Sequence, residues 1–207
     1  MGDCYIAVGG LVQRDSDGFQ VLIEQRTLEE AAQDAAAVVG FAKEMLMRAR
    51  NPCCPWSPFV QVHMPHNGQQ VTLRIGIHSG KLVSGMLGTR LPKFTLFGDT
   101  MNTASRMEST APPGCIQVSE ATHQLLMYAK SMGFASSQLF DEASSHSSNS
   151  GEHSLQHGRG SSMAAPMPGV WVETGGVEVK GKGCMDTFVW MPSDHPLRLN
   201  GLPTTQT

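Results

Sequence analysis

Residues 93–110, with the sequence KFTLFGDTMNTASRMEST, constrain the fold of this chain more than any other stretch. The apolar-rich run 94–97 predicts a short strand, because it combines aromatic and aliphatic residues and is followed by a glycine. Gly98 interrupts the strand, and Asp99 or Thr100 is a typical cap for a helix that begins there. The stretch therefore predicts a strand, a tight turn and a helix in immediate succession.

Asn102 and Arg106 are four residues apart in this predicted helix, so they share one of its faces. A guanidinium group binds phosphate oxygens through paired N–H donors, and a carboxamide can hydrogen-bond a sugar. This face therefore suits an anionic ligand that carries hydroxyl groups. Spacing alone favours the simpler interpretation of a solvated helix face, since polar pairs of this kind are common.

Three further stretches extend the pattern. Together with residues 93–110, and in the same order along the chain, they resemble the class III nucleotidyl cyclases, which comprise the adenylyl and guanylyl cyclases. Four ordered matches are much more specific than any one of them. The three stretches are GDCYIAVGGL at residues 2–11, LRIGIHSG at residues 73–80 and VEVKGKG at residues 177–183.

The resemblance implies an α+β fold of the ferredoxin-like nucleotide cyclase type, with an antiparallel sheet and helices packed on one face. It also implies that the first strand–helix portion is missing, so that this chain is a truncated form of a longer domain or takes the missing edge from a partner. The implied activity is conversion of ATP or GTP to the 3′,5′-cyclic nucleotide and pyrophosphate in intracellular signalling. The alternative is a catalytically incomplete regulatory or dimerisation half of a cyclase.

The same resemblance assigns five site residues. Asp3 is a ligand for Mg²⁺ or Mn²⁺ in a two-metal site of which this chain shows one carboxylate, although an Asp after Gly also commonly serves a turn. Asn102 orients the ribose, Arg106 neutralises charge at the α-phosphate, Lys180 contacts the phosphate chain and Thr95 reads the purine. In the family the site forms between two domains, which predicts a homodimer or a heterodimer with another cyclase domain.

The choice of purine stays open at this stage. At the position of Thr95 guanylyl cyclases usually carry Cys and many adenylyl cyclases carry Asp, whereas Thr occurs in a further adenylyl subgroup. A hydroxyl group can accept from an amino group or donate to a carbonyl, so its chemistry fits either base. Thr95 favours ATP, but the surrounding string is more similar to guanylyl cyclases.

Local signals predict the remaining elements. Thr27 and Glu30 form a capping box that starts a helix of about 20 residues, which Asn51-Pro52 ends. Ser119 is expected to cap a later helix, and Gly175-Gly176 to form a hairpin between residues 170–172 and 177–179. Strands are also expected at residues 5–8, 71–77, 82–87, 115–118 and 187–190. His78 is expected to be a hydrogen-bonded histidine within the sheet, and Lys182 to face solvent.

Residues 1–133 and 170–191 are expected to form the cyclase domain, interrupted by a disordered Ser/Gly/His-rich insertion at 134–169 and followed by a flexible tail at 192–207. The net charge of −3 gives no basic field for nucleic acid, and no apolar run approaches the roughly 20 residues of a membrane span. The odd number of cysteines, five, favours free thiols. These observations predict a cytoplasmic protein, or the cytosolic part of a larger membrane-attached one.

Overall fold

The computed structural model describes residues 4–23, 25–50, 68–69, 71–134, 168–179 and 181–199. Asp3, Lys180 and most of the predicted insertion lie outside these residues. The helices are α1 (Leu28–Arg50), α2 (Asp99–Thr110), α3 (Glu120–Ser131) and α4 (Pro196–Leu199). The strands are β1 (Val12–Arg14), β2 (Gln20–Leu22), β3 (Ile75–Ile77), β4 (Val83–Leu87), β5 (Lys93–Phe97), β6 (Ile116–Ser119), β7 (Gly169–Glu173), β8 (Val177–Val179), β9 (Gly183–Met185) and β10 (Thr187–Pro192).

The main sheet has four strands in the order β3-β6-β10-β7, and three separate two-stranded ribbons pair β1 with β2, β4 with β5 and β8 with β9. Within the main sheet β10 runs antiparallel to both β6 and β7, whereas β3 runs parallel to β6. The α+β class is confirmed. The sheet is mixed rather than purely antiparallel, because β3 is joined to β6 through the β4–β5 ribbon and α2 instead of through a hairpin.

One face of the main sheet carries the hydrophobic core. Ile116 and Val118 of β6 project from this face, as alternation along a strand requires, and meet α1 and α3. The α1 stripe is rich in alanine, which lets the two helices approach closely. We call this face the core face, and its buried cluster consists of Ala32, Ala35, Ala36, Val39, Ala42, Leu46, Ile77, Ile116, Val118, Leu126, Ala129 and Trp190.

The predicted caps of α1 and α3 are confirmed. The Thr27 backbone N–H donates to the Glu30 carboxylate at 2.9 Å, and the Glu30 N–H donates to the Thr27 hydroxyl at 3.2 Å. Hydrogen bonds from the Thr27 backbone N–H and from the Thr27 hydroxyl to the carboxylate lower the pKa of Glu30, with the backbone bond contributing most. Ser119 is the N-cap of α3, where its side chain accepts from the Thr122 N–H. Both helices therefore begin where local chemistry supplies acceptors for their first free N–H groups.

Helix α2 lies on the other face of the sheet, which we call the site face. Gly76 in β3 and Gln117 in β6 face away from the core, whereas the residues on either side of each of them face it. A Cβ atom placed on Gly76 would overlap the backbone of Met107 and Glu108, and the Gln117 amide donates to the Thr110 hydroxyl at 3.0 Å. The prediction placed all helices on one face; α1 and α3 share a face, and α2 packs opposite them.

Two strand predictions were wrong. Gly175 and Gly176 do have positive φ angles, 72° and 96°, but the strands they separate do not pair with each other. β7 pairs with β10 and β8 pairs with β9, because a glycine turn fixes a change of direction without fixing the partner of either strand. Residues 5–8 form no strand either, since among the described segments none pairs with them.

Smaller differences concern strand length, the tail and the thiols. Only Ile75–Ile77 of the predicted 71–77 strand forms a ladder. In the predicted tail, His195 is buried and its Nε2 lies 2.9 Å from the Pro113 carbonyl oxygen, so the described part of the tail is held against the domain. Cys4, Cys115 and Cys184 are free thiols, as predicted, and burial raises the pKa of Cys115 to about 11. No helix in the described part of the chain is long and apolar enough to cross a bilayer.

Candidate active site on the site face

The strand–turn–helix unit predicted for residues 93–110 is present as β5, Gly98 and α2. Gly98 is the N-cap residue, with φ 122°, a conformation that side chains disfavour. The predicted cap by Asp99 or Thr100 was wrong, because α2 has no side-chain cap hydrogen bond. Asp99 is already the first helical residue, and the Thr100 hydroxyl donates instead to the Lys81 carbonyl.

Helix α2 presents two different surfaces. Thr103 and Met107, exposed by 1% and 0%, pack into the domain, whereas Asn102 and Arg106 are exposed. Among the described residues, no side chain hydrogen-bonds or forms an ion pair with the Asn102 amide or the Arg106 guanidinium. Asn102 and Arg106 therefore share one helix face, as predicted, and both polar groups are accessible to a ligand.

Thr95 lies on β5, directly before this helix. It pairs with Gly85 of β4 and is half-buried, and its hydroxyl donates to the Lys93 carbonyl at a long 3.3 Å. Thr95, Asn102 and Arg106 are thus carried on one continuous unit. Asp3 and Lys180 lie outside the described residues, so their predicted roles remain predictions.

Sequence reasoning missed an ion pair at this site. The Lys182 ammonium contacts the Asp99 carboxylate, and their side chains are 30% and 69% exposed. Lys182 is exposed, as predicted, but its ammonium group also forms this ion pair, which was not predicted. Local sequence could not have identified the pair, because the two residues are 83 positions apart.

A second polar cluster lies beside the start of α2. His78 Nδ1 and the Ser119 hydroxyl oxygen are 2.7 Å apart, which confirms the expected hydrogen-bonded histidine. A Cβ atom on Gly80 would approach the Thr100 hydroxyl at 2.7 Å and His78 Nε2 at 3.3 Å, so the loop after β3 lies against the helix start. Burial lowers the pKa of His78, the nearby Lys182 lowers it further, and Asp99 acts in the opposite direction.

The β4–β5 ribbon carries an unusual number of exposed apolar side chains. Burying such groups against a partner would be favourable, since roughly 25 cal/mol is gained for each Å² of apolar surface removed from water. The ribbon leads directly into Gly98 and α2, so a partner on this surface would also lie beside the site. We call it the ribbon surface, and it comprises Val83, Met86, Leu87, Leu91, Phe94 and Phe97.

The described residues do not by themselves form a metal centre. No group of three His, Cys, Asp or Glu side chains within them is arranged to hold a metal ion. The Asp99 carboxylate, at the start of α2, is engaged by Lys182. Binding of Mg²⁺ or Mn²⁺ therefore remains a prediction that depends on Asp3.

Comparison with known proteins decides the family. The family model for the adenylate and guanylate cyclase catalytic domain matches residues 1–162. The chain belongs to this family of cyclase catalytic domains. The resemblance noted in the sequence is thereby confirmed, and the matched range includes Thr95, Asn102 and Arg106.

Similar curated proteins are guanylate cyclases. The receptor-type guanylate cyclase gcy-28 of Caenorhabditis elegans is 37% identical over 127 residues, which cover 61% of this chain and 8% of that protein. The guanylate cyclase soluble subunit beta-2 of Rattus norvegicus is 34% identical over 134 residues, or 65% of this chain and 15% of that protein. The chain therefore corresponds to a small part of these relatives.

A solved structure is also similar. It is the guanylate cyclase domain of RhGC from Catenaria anguillulae in complex with GTP, with 26% sequence identity and a TM-score of 0.49. The match covers 77% of this cyclase domain and 60% of that chain.

Proposed function

We propose that this cyclase domain binds a purine nucleoside triphosphate and converts it to the 3′,5′-cyclic nucleotide and pyrophosphate. The observation that carries the proposal is the exposed Asn102–Arg106 pair, which has no partner among the described residues and is held on a helix fixed to the main sheet. GTP is the preferred substrate in this proposal, because the similar curated proteins are named guanylate cyclases.

The proposed reaction needs alignment and charge neutralisation rather than a covalent enzyme intermediate. The ribose 3′ oxygen attacks the α-phosphorus, a P–O bond forms, and the bond to the β-phosphate oxygen breaks to release pyrophosphate. The proton of the 3′ hydroxyl passes to solvent. Arg106 donates to the oxygens on which negative charge develops, and Asn102 holds the ribose in line.

Thr95 is proposed to contact the purine from β5, and Lys180 to contact the phosphate chain. Asp3 is the proposed ligand of Mg²⁺ or Mn²⁺. A metal ion held there would add positive charge beside the phosphates.

A dimer, either with a second copy or with another cyclase domain, is part of the proposal. The ribbon surface supports it, since six large apolar side chains are exposed beside the site. In such a dimer Asp3 of one protomer would serve the Asn102–Arg106 face of its partner. A cytoplasmic location is also proposed, because the resemblance to this family implies a role in intracellular signalling.

The test is an assay of the purified chain with Mn²⁺ and either GTP or ATP, in which cyclic nucleotide and pyrophosphate are both measured. We expect cyclic GMP to form faster than cyclic AMP. Arg106→Ala is expected to reduce turnover by roughly 10²–10³-fold, as for the loss of a donor to a developing oxyanion. Arg14→Ala, which removes an exposed arginine from β1, serves as the matched control and is expected to leave turnover unchanged.

The second candidate function is a non-catalytic half that completes the site of another cyclase. The exposed Asn102–Arg106 face and the ribbon surface favour it, because both could serve a partner domain. If the purified chain forms no cyclic nucleotide but raises the activity of a full-length guanylate cyclase mixed with it, this candidate replaces the first.

For the first candidate, equal turnover by wild type and Arg106→Ala would remove Arg106 from the mechanism.

A further inference from the structure

The β8–β9 ribbon is a small element that lies outside the main sheet. Each of its strands has three residues, and neither belongs to the main sheet. A two-stranded ribbon of this length has little stability of its own, so its position depends on tertiary contacts. At its C-terminal end the ribbon continues through Asp186 into β10. Elsewhere in the described part of the chain it is held by the burial of Val179, which is 2% exposed, and by the ion pair between Lys182 and Asp99.

The turn of this ribbon is shaped to present Lys182. Gly181 and Gly183, on either side of it, have φ angles of 85° and 73°. The Lys182 N–H donates to the Val179 carbonyl at 2.9 Å, which closes the turn. The backbone of Lys182 thus fixes the turn while its side chain reaches the first residue of α2.

Asp99 connects this turn to the Asn–Arg face. It precedes Asn102 by about one helical turn and Arg106 by about two, on a helix whose position is set by contact with Gly76. The Thr103 hydroxyl donates to the Asp99 carbonyl at 2.9 Å, so Asp99 is held within the first turn. An interaction that holds Lys182 to Asp99 therefore sets how far the β8–β9 turn lies from Asn102 and Arg106.

The ion pair has little to contribute to folding stability. Both side chains are partly exposed to water, and exposed ion pairs generally stabilise proteins weakly. Its effect is on position, because this side-chain bond joins the β8–β9 turn directly to α2.

We infer that Asp99 and Lys182 are positioning residues for the proposed cyclase reaction. Their ion pair holds the β8–β9 turn at a fixed distance from the Asn102–Arg106 face. This inference rests on the proposed function. The reaction depends on alignment, so a change in the placement of the elements beside this face lowers its rate.

Charge reversal and charge exchange test the inference on the whole chain. Lys182→Asp and Asp99→Lys are each expected to lower kcat about 3- to 10-fold while KM for GTP changes less, since an exposed ion pair restrains the turn only weakly. The double variant, Asp99→Lys with Lys182→Asp, is expected to recover most of the lost kcat because it restores the attraction. Melting temperatures of all three are expected to stay close to that of wild type.

A matched control uses another exposed ion pair. Arg48 and Glu44 on α1 lie 2.7 Å apart, and Glu44→Arg is expected to leave both kcat and KM unchanged. Recovery by charge exchange is the decisive readout, because a Lys182 that bound the nucleotide directly would not be replaced by an aspartate. Failure of the double variant to recover, with KM raised in Lys182→Asp, would overturn the positioning role.

The outcomes also separate this inference from the proposed function. If Lys182→Asp and Asp99→Lys both turn over GTP as fast as wild type, the positioning role alone is overturned. Absence of any wild-type turnover overturns the proposed function, and with it the inference that depends on it.

Discussion

The core face and the site face of the same sheet differ in how completely this chain covers them. On the core face, α1 and α3 bury Leu46, Ile116 and Trp190 almost entirely. On the site face, Gln117, Val189 and Met191 are buried as well, but of α2 itself only Thr103 and Met107 are buried, and the adjoining ribbon surface stays exposed. Both faces therefore contain buried residues, and beside the site face lie exposed apolar and polar groups that a ligand or partner could cover. The difference separates the residues that stabilise the fold from those available for function.

The sharpest test of this comparison is a pair of leucine truncations. Leu46→Ala on α1, where the side chain is 1% exposed, is expected to lower the free energy of unfolding by about 2–5 kcal/mol through lost burial and a residual cavity. Leu87→Ala on the ribbon surface, where the side chain is 53% exposed, is expected to change it by less than about 0.5 kcal/mol. Urea unfolding followed by circular dichroism measures both, and similar losses would refute the distinction between the two regions.

A pair of glycine substitutions sharpens the comparison with a smaller effect. Gly76→Ala would push a methyl group into the backbone of α2 and is expected to cost about 1–3 kcal/mol. Gly85→Ala on β4, where an added Cβ meets nothing within 4 Å, is expected to be neutral or slightly stabilising. The difference in melting temperature between the two variants is the measurement. An equally tolerated Gly76→Ala would mean that α2 does not lie in backbone contact with β3.

The smallest expected effect is a dependence of stability on acidity. Because burial lowers the pKa of His78 below its ordinary value of 6.5, unfolding takes up protons in mildly acidic solution. Stability is therefore fully present above about pH 6.5 and is lost as the pH falls through the lowered folded-state value. Burial also lowers the pKa of His123 on the core face, with Glu173 opposing, so part of the loss comes from there.

Replacing His78 with glutamine separates the two contributions. His78→Gln is expected to reduce the fall in melting temperature between pH 7.5 and pH 5.5, and His123→Gln to reduce it independently. An unchanged pH dependence in His78→Gln would exclude His78 as one of its sources.

Features specified by neighbouring residues were predictable from the sequence. The capping box at Thr27 and Glu30, the Ser119 cap and the strand–glycine–helix order of residues 93–110 all depend on contacts a few residues apart. The assignment of Asn102 and Arg106 to one exposed helix face has the same origin, since helical periodicity fixes it.

Features that depend on distant partners were not predictable in this way. Periodicity could not reveal that β7 pairs with β10 rather than β8, because strand propensity does not identify a neighbour. The Lys182–Asp99 ion pair was not predictable either, because the two residues are 83 positions apart in the sequence. The division of helices between the two faces became apparent only from the direction in which Gly76 and Gln117 point.

The contact at Gly76 has a consequence for motion. Where two elements meet through side chains, rotamer changes can let one slide past the other, but at Gly76 main chain lies directly against main chain. Helix α2 and strand β3 are therefore expected to move together. Any opening or closing that accompanies nucleotide exchange would involve the surrounding ribbons or a whole neighbouring protomer, and the distance from Asn102 to the sheet would stay constant throughout.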